Sequence, residues 1–348
     1  MVSAWGGSHG MRNLHAQGGT TAGGFGVLLE TFQQAADGFK ELHNHGPTGF
    51  EKSDHLAKLT WENSPQARIR HAIALKANLT TETSNETYLG LSKEDFARTP
   101  FRRYAGSQFD RMDVRHDLFT AQYAITLPQG TRIVANTHRN WYKLDQVQDT
   151  SGTRVGISDL LNDPAAHPYA YGVVRGADSE ANALRVKANN RNYQTSGVQV
   201  IATHAIKREK AEHAFELGAR IHQDYMDRYQ YNDDYRMLGG NMLRTSAGKP
   251  GTESNRISSA DAFAAHAKYD LSLGKLGVHP GVRFEQITMK EENYGNADPD
   301  RNGTNLRTTE NAVDVVIPGI GIDYTLSANT MVFAGAHRGF SPPGTSPD

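Results

Sequence analysis

The sequence predicts an all-β fold, an antiparallel up-and-down transmembrane β-barrel. Three observations carry that reading. Apolar and polar residues alternate with a period of two along most of the chain, which separates two faces only in a strand. The connections between alternating segments run short, long, short, long, as in barrels with tight turns on one rim and loops on the other. No run of eighteen apolar residues occurs, which excludes a membrane helix but not a membrane strand.

The clearest strands justify themselves residue by residue. In 213–225, Phe215, Leu217, Ala219, Ile221 and Tyr225 share one face, interrupted by Gln223. Glu216, Gly218, Arg220, His222 and Asp224 share the other. In 262–271, Phe263, Ala265, Ala267, Tyr269 and Leu271 oppose Ala264, His266, Lys268 and Asp270. In 278–285, Val278, Pro280, Val282 and Phe284 oppose His279, Gly281, Arg283 and Glu285. Val316, Pro318, Ile320, Ile322 and Tyr324 form one face of 316–324. Pro280 and Pro318 inside such runs predict an edge or a bulge, because proline donates nothing to a ladder.

Short connections are expected at 63–66, 128–130, 207–211, 274–276 and 327–329. Long ones are expected near 78–108, 145–190, 229–258 and 293–310, rich in Asn, Asp, Gly, Thr and Ser, with a shorter one containing GPTG near 37–50. This spacing predicts about twelve strands. Trp141, Tyr142, Tyr225, Tyr229, Tyr231, Tyr269 and Tyr324 fall within or at the ends of strands, where interface girdles place aromatics.

Composition narrows the function. The 348 residues carry 37 Lys and Arg against 38 Asp and Glu, a net charge of −1, so no basic footprint for nucleic acid exists. Mean hydropathy is −0.60. Cysteine is absent, which removes disulfides, thiol catalysis and cysteine metal sites. The start, MVSAWGGSHGMRN, lacks a basic stretch followed by an apolar one, so no secretory leader is expected there. No nucleophile elbow, P-loop or zinc-protease motif occurs, and no enzyme is expected.

Specific stretches carry a resemblance. They are TTAGGFGVLLETFQQAADGFKEL at 20–42, TGFEKSDHLAKLTW at 48–61, SNETYLGLSKEDFARTPFRRYAGSQFDRMD at 84–113, and VFAGAHRGFSPPG at 332–344. Together they resemble the barrel of TonB-dependent outer-membrane receptors, especially the ferric dicitrate subgroup. The resemblance implies a 22-stranded barrel around an N-terminal plug. Residues 1–348 then read as a partial barrel domain, with the plug absent and about half the strands present. It implies an outer-membrane location with short turns periplasmic and long loops extracellular. It also implies uptake of ferric citrate or another siderophore chelate, coupled to the TonB complex through the plug, with membrane lipid and lipopolysaccharide as neighbours. A porin-like passive channel and a soluble β-sandwich adhesion module are the alternatives.

Candidate ligand residues follow from charge and position. Arg98, Arg102 and Arg103 in FARTPFRRY form a basic cluster, and guanidinium forks suit carboxylates. The competing role is pairing with Glu94 and Asp95 or with lipid headgroups. His138, Asn140, Arg220, His222 and Arg338 are the expected lumen-facing outer ends. His43 and His45 have metal-compatible spacing but need a third ligand, so solvated loop histidines and no metal are expected. Asp298, Asp300 and Asn302 before Gly303 match half a calcium loop. Thr309 stands where the bidentate Glu belongs and Glu310 is one place late, so a turn-rich surface loop is the expectation.

Overall fold

Period-two alternation becomes structure because each strand pairs with its neighbour in chain order, antiparallel throughout the wall. In the computed structural model, residues 1–85, 88–125, 137–148 and 152–344 are described. The chain opens with β1 (Val2–Gly6), β2 (Arg12–Ala22) and β3 (Phe25–Ala36). A loop strand, β4 (Glu41–Leu42), precedes β5 (Phe50–Glu62) and β6 (His71–Ser84). The next connection holds α1 (Lys93–Arg98) and β7 (Arg102–Arg103) before β8 (Arg111–Ile125) and β9 (Thr137–Gln148). Then come β10 (Arg154–Gly156), α2 (Ile157–Asn162), α3 (Pro168–Arg175) and β11 (Leu184–Ala188). β12 (Arg191–Lys207), β13 (Glu212–Leu238), β14 (Asn241–Ser246) and β15 (Ser254–Leu273) follow. The chain closes with β16 (Leu276–Asn293), β17 (Arg307–Ser327) and β18 (Thr330–His337).

All strands except β4 and β7 lie in one sheet of sixteen. Twelve of them form the up-and-down wall, and β1, β10, β11 and β14 are short additions, which matches the expected number. Among the described residues β1 pairs only with β2 and β18 only with β17, so the sheet is an open part of a barrel. A single continuous sheet also removes the two-sheet sandwich as the architecture.

Register aligns the two faces across the wall. Phe25, Trp61, Ile73 and Tyr123 are directly opposite in succession, as are Val27, Leu59, Leu75 and Ala121. Leu217, Ala267, Val282 and Pro318 make the same kind of row. Leu59 and Leu217 are 54% and 60% exposed, so this apolar face is bare of protein cover. The alternate face carries charge that is paired within it, as in Arg283–Glu285 at 2.6 Å and His266–Glu216 at 3.0 Å.

The two prolines sit where ladders are interrupted. The β15–β16 register passes from Lys268–Gly281 to Leu271–Val278, skipping the Pro280 position. β18 stops pairing at Gly319–His337, one residue from Pro318, whose carbonyl accepts from the Arg338 N–H at 3.0 Å. Both are the interruptions a missing donor requires.

Turns on one rim are tight. Gly23 and Gly24 have φ of +58° and +84°, and Gly274 has φ of +61°, a region that glycine enters without strain. The expected turn at 128–130 lies outside the described residues. On the other rim lie the connections 37–49, 85–110 and 239–253, the loop 294–306, and the segment that carries α2 and α3.

The bare apolar row generates a prediction. Leu217→Arg should cost about 2–4 kcal/mol of folding free energy in phospholipid vesicles, measured by urea titration. Gln122→Arg, on the alternate face of β8, should cost under about 1 kcal/mol in the same assay.

Candidate anion-binding site at the long-loop rim

Above the wall the long connections pack into a cap with its own apolar core. Leu89, Tyr104, Leu160, Val173, Val174, Leu184 and Met237 are at most 2% exposed within it. α3 fits there because Ala170, Val173 and Val174 fall on one helical face, Pro168 opens it, and Gly176 ends it at φ of +117°.

Asp95 is the centre of the cap's polar network. Ser92 caps α1 by accepting from the Asp95 N–H at 3.2 Å, which turns the Asp95 side chain inward, where it is 1% exposed. Tyr171 and Tyr104 donate their hydroxyls to its Oδ2 at 2.7 and 2.8 Å. Three guanidiniums surround the same carboxylate: Arg98 at 3.0 Å, Arg175 at 3.2 Å and Arg102 at 3.8 Å. Their side chains are 68%, 35% and 30% exposed. Arg175 also lies over the Tyr171 ring and Arg102 over the Tyr104 ring.

The electrostatics follow from this geometry. Burial alone pushes the Asp95 carboxyl up. The hydrogen bonds from Tyr171 and Tyr104, with the charges of Arg175 and Arg102, outweigh it and hold the group below its ordinary value. Burial raises the Tyr104 phenol, which stays a protonated donor. One carboxylate therefore organises three cations and leaves two positive charges uncompensated within the cluster. Guanidinium forks in such an array have the geometry that suits a multivalent oxyanion.

The expected site residues separate into groups. Arg98 and Arg102 come together at Asp95. Arg103 does not join them. It is 1% exposed and donates to Ser107 Oγ, Asn85 O, Ser107 O and Asp110 O at 2.7–3.0 Å, tying the two ends of the 85–110 connection together. The reason is local: β4 and β7 pair in parallel, and adjacent residues in a strand point to opposite sides. Arg175 belongs to the cluster but was missed, because it lies 80 positions from Asp95 and only the helical pattern of PYAYGVVR hints at it.

Arg220 and His222 lie on the charged face of β13, in register with Ala264 and Ala262. His222 sits 3.7 Å from Asp224. Arg338 instead donates to the Val316 carbonyl at 3.1 Å and anchors the chain beyond β18. His138 and Asn140 fall in β9 opposite Arg115 and Asp113, which share the row of Phe119 and Tyr123 rather than the charged face. The side chains of His138, Asn140, Trp141 and Tyr142 lie outside the described residues.

His43 and His45 are exposed in a 3₁₀ turn, and no group of three metal-ligating side chains occurs among the described residues. Asp298 is buried and accepts from the Asn302 and Gly303 N–H groups, and Asp300 pairs with Lys249, so these carboxylates organise a surface loop.

Residues 19–348 match the family model described as TonB dependent receptor-like, beta-barrel. The chain belongs to this receptor family. Among solved structures it resembles the unliganded ferric citrate transporter FecA, with 16% identity and a TM-score of 0.67, covering 95% of this chain and 42% of that one. It resembles the ferric-catecholate import receptor Fiu of E. coli K12 at 13% identity and TM-score 0.69, covering 98% and 54%. It resembles the siderophore receptor PiuA of Acinetobacter baumannii at 11% identity and TM-score 0.68, covering 95% and 48%. The chain thus spans about half the length of these structures. No curated protein matches it.

Asp95→Asn should destabilise the cap by about 2–3 kcal/mol, because it removes charge-assisted bonds from a buried hub. The exposed faces of the arginines keep the loss below that of a fully buried pair. Hydrogen exchange across 88–108 and 168–176 measures it. The pH dependence has a definite sign. A depressed carboxyl contributes stability above its ordinary value of 3.8 and loses it as pH falls through the lower folded value. Cap protection should therefore persist to pH 4 and fall only in stronger acid.

Proposed function

We propose that the chain supplies part of the wall and outer loops of an outer-membrane receptor that takes up an anionic ferric chelate. The single observation that carries this reading is the Asp95 cluster, with three partly exposed guanidiniums on the loop rim of a receptor-family barrel. Ferric citrate, or a siderophore with free carboxylates, has the charge and oxygen geometry that such forks hold. The bare apolar row meets membrane lipid, with lipopolysaccharide on the loop side. Transport further requires the TonB complex acting through a plug domain, as the family architecture implies. The chain alone should bind chelate weakly and should not transport.

The mechanism divides the work between residues. Arg98, Arg102 and Arg175 contact the chelate. Asp95, Tyr104 and Tyr171 fix their positions before it arrives, which lowers the ordering cost of binding. Arg220 and His222 lie on the charged face below, along the path inward.

The test is a titration of detergent-folded receptor with ferric citrate against a neutral ferric hydroxamate. Arg102→Ala and Arg175→Ala should each weaken ferric citrate binding about tenfold, the loss expected for one charge-assisted hydrogen bond. Neutral hydroxamate binding should stay unchanged. Equal affinity of wild type and both variants for ferric citrate would sink the reading.

A further inference from the structure

The short-turn rim carries a device that chelate binding does not use. His71 begins β6 and Tyr123 lies near the end of β8, where His71 Nδ1 and the Tyr123 hydroxyl are 2.7 Å apart. Their rings are 6.0 Å apart and inclined by 19°. The same arrangement recurs on the other half of the wall. His213 Nδ1 and the Tyr269 hydroxyl are 2.7 Å apart, with rings at 6.1 Å and 18°. Phe215 stacks on Tyr269 at 4.8 Å. Both pairs lie in the apolar row, since His71 shares parity with Ile73 and Leu75, and His213 with Phe215 and Leu217. Each puts a polar ring edge at the boundary of a lipid-facing band, where amphipathic rings meet headgroups.

Beside these pairs the turns are basic. Among the described short turns and their flanks, Arg68, Arg70, Lys207, Arg208, Lys210 and Lys275 face only Glu62, Glu209 and Glu212. The turn at 208–211 and the turn holding Lys275 are neighbours, because Glu212 pairs with Ser272. The opposite end of the row keeps an acidic excess in Glu51, Asp261 and Asp314, while Asp113 and Asp117 are neutralised by Arg111 and Arg115 in the same row. Charge therefore differs between the two ends of one lipid-facing surface.

We propose that this rim is a binding surface for anionic phospholipid of the inner leaflet. Phosphatidylglycerol headgroups would sit against the His71–Tyr123 and His213–Tyr269 pairs, with their phosphates held by the turn cations. The chemistry is that of a cation collar beneath an aromatic belt. The belt sets the depth of the headgroup and the collar selects its charge. The two sites are separate: Arg68 and Arg70 serve the first, and Arg208, Lys210 and Lys275 the second. This inference rests on the membrane reading above.

The experiment is native mass spectrometry of the full chain folded in detergent, titrated with phosphatidylglycerol or phosphatidylethanolamine of matched acyl chains. Heat-modifiable gel mobility first establishes that the chain folds as a barrel wall, and failure there counts against the membrane reading itself. With folding established, wild type should retain phosphatidylglycerol in preference to phosphatidylethanolamine, and salt should reduce the preference. The double change Arg208→Gln and Lys210→Gln should weaken phosphatidylglycerol retention about twenty-five-fold, from a roughly fivefold loss per charge removed. Phosphatidylethanolamine retention should not change. A folded wild type that holds both lipids equally would overturn the proposal. So would variants that keep the full preference, or a stronger hold on lipid A phosphates that the same variants lose.

Discussion

The interstrand hydrogen-bond ladder, with its side-chain period of two, is the constraint on which the rest of the structure depends. A bilayer core offers no water to backbone groups, so each strand must find its partners in its neighbours. β13 pairs along nearly its whole length, with β12 on one side and β15 on the other. That pairing fixes the parity of every residue between Glu212 and Gln230. A slip of one residue would send Phe215, Leu217 and Ile221 to the charged face and Glu216, Arg220 and His222 to the apolar one. The near-zero net charge is a consequence. Each apolar row is balanced by a charged row, and the charged row is largely neutralised within itself.

The cap depends on the ladder but obeys different physics. Its loops are held by a small apolar core and one buried carboxylate rather than by backbone pairing. Asp95 tolerates burial because two phenols and three guanidiniums stabilise its charge, and those partners come from two connections far apart in sequence. A hub of this kind sets the arginines in place and leaves their outer faces open. Fold and the proposed binding chemistry meet at this residue.

The strands were legible because alternation is local. Phe263, Ala265 and Ala267 declare their face without reference to any other segment. The tight turns and loop rim followed from connection length. The cap was not legible, because its decisive contacts span 76 to 80 positions, between Asp95 and Tyr171 or Arg175. Arg98, Arg102 and Arg103 looked like one cluster by proximity in sequence. A two-residue strand sends Arg103 inward to bind backbone carbonyls, and a distant helix supplies the third cation. The apparent calcium loop failed for a similar reason. Asp298 spends its oxygens on the turn it closes.

The most direct measurement is site-directed spin labelling along 215–222 of β13 in phospholipid bilayers, reading relaxation by oxygen and by a water-soluble nickel chelate. The account predicts an oscillation of period two. Labels at Phe215, Leu217, Ala219 and Ile221 should respond to oxygen, and labels at Glu216, Gly218, Arg220 and His222 to nickel. Equal nickel accessibility at all eight positions would contradict a lipid-facing row and the barrel wall built on it.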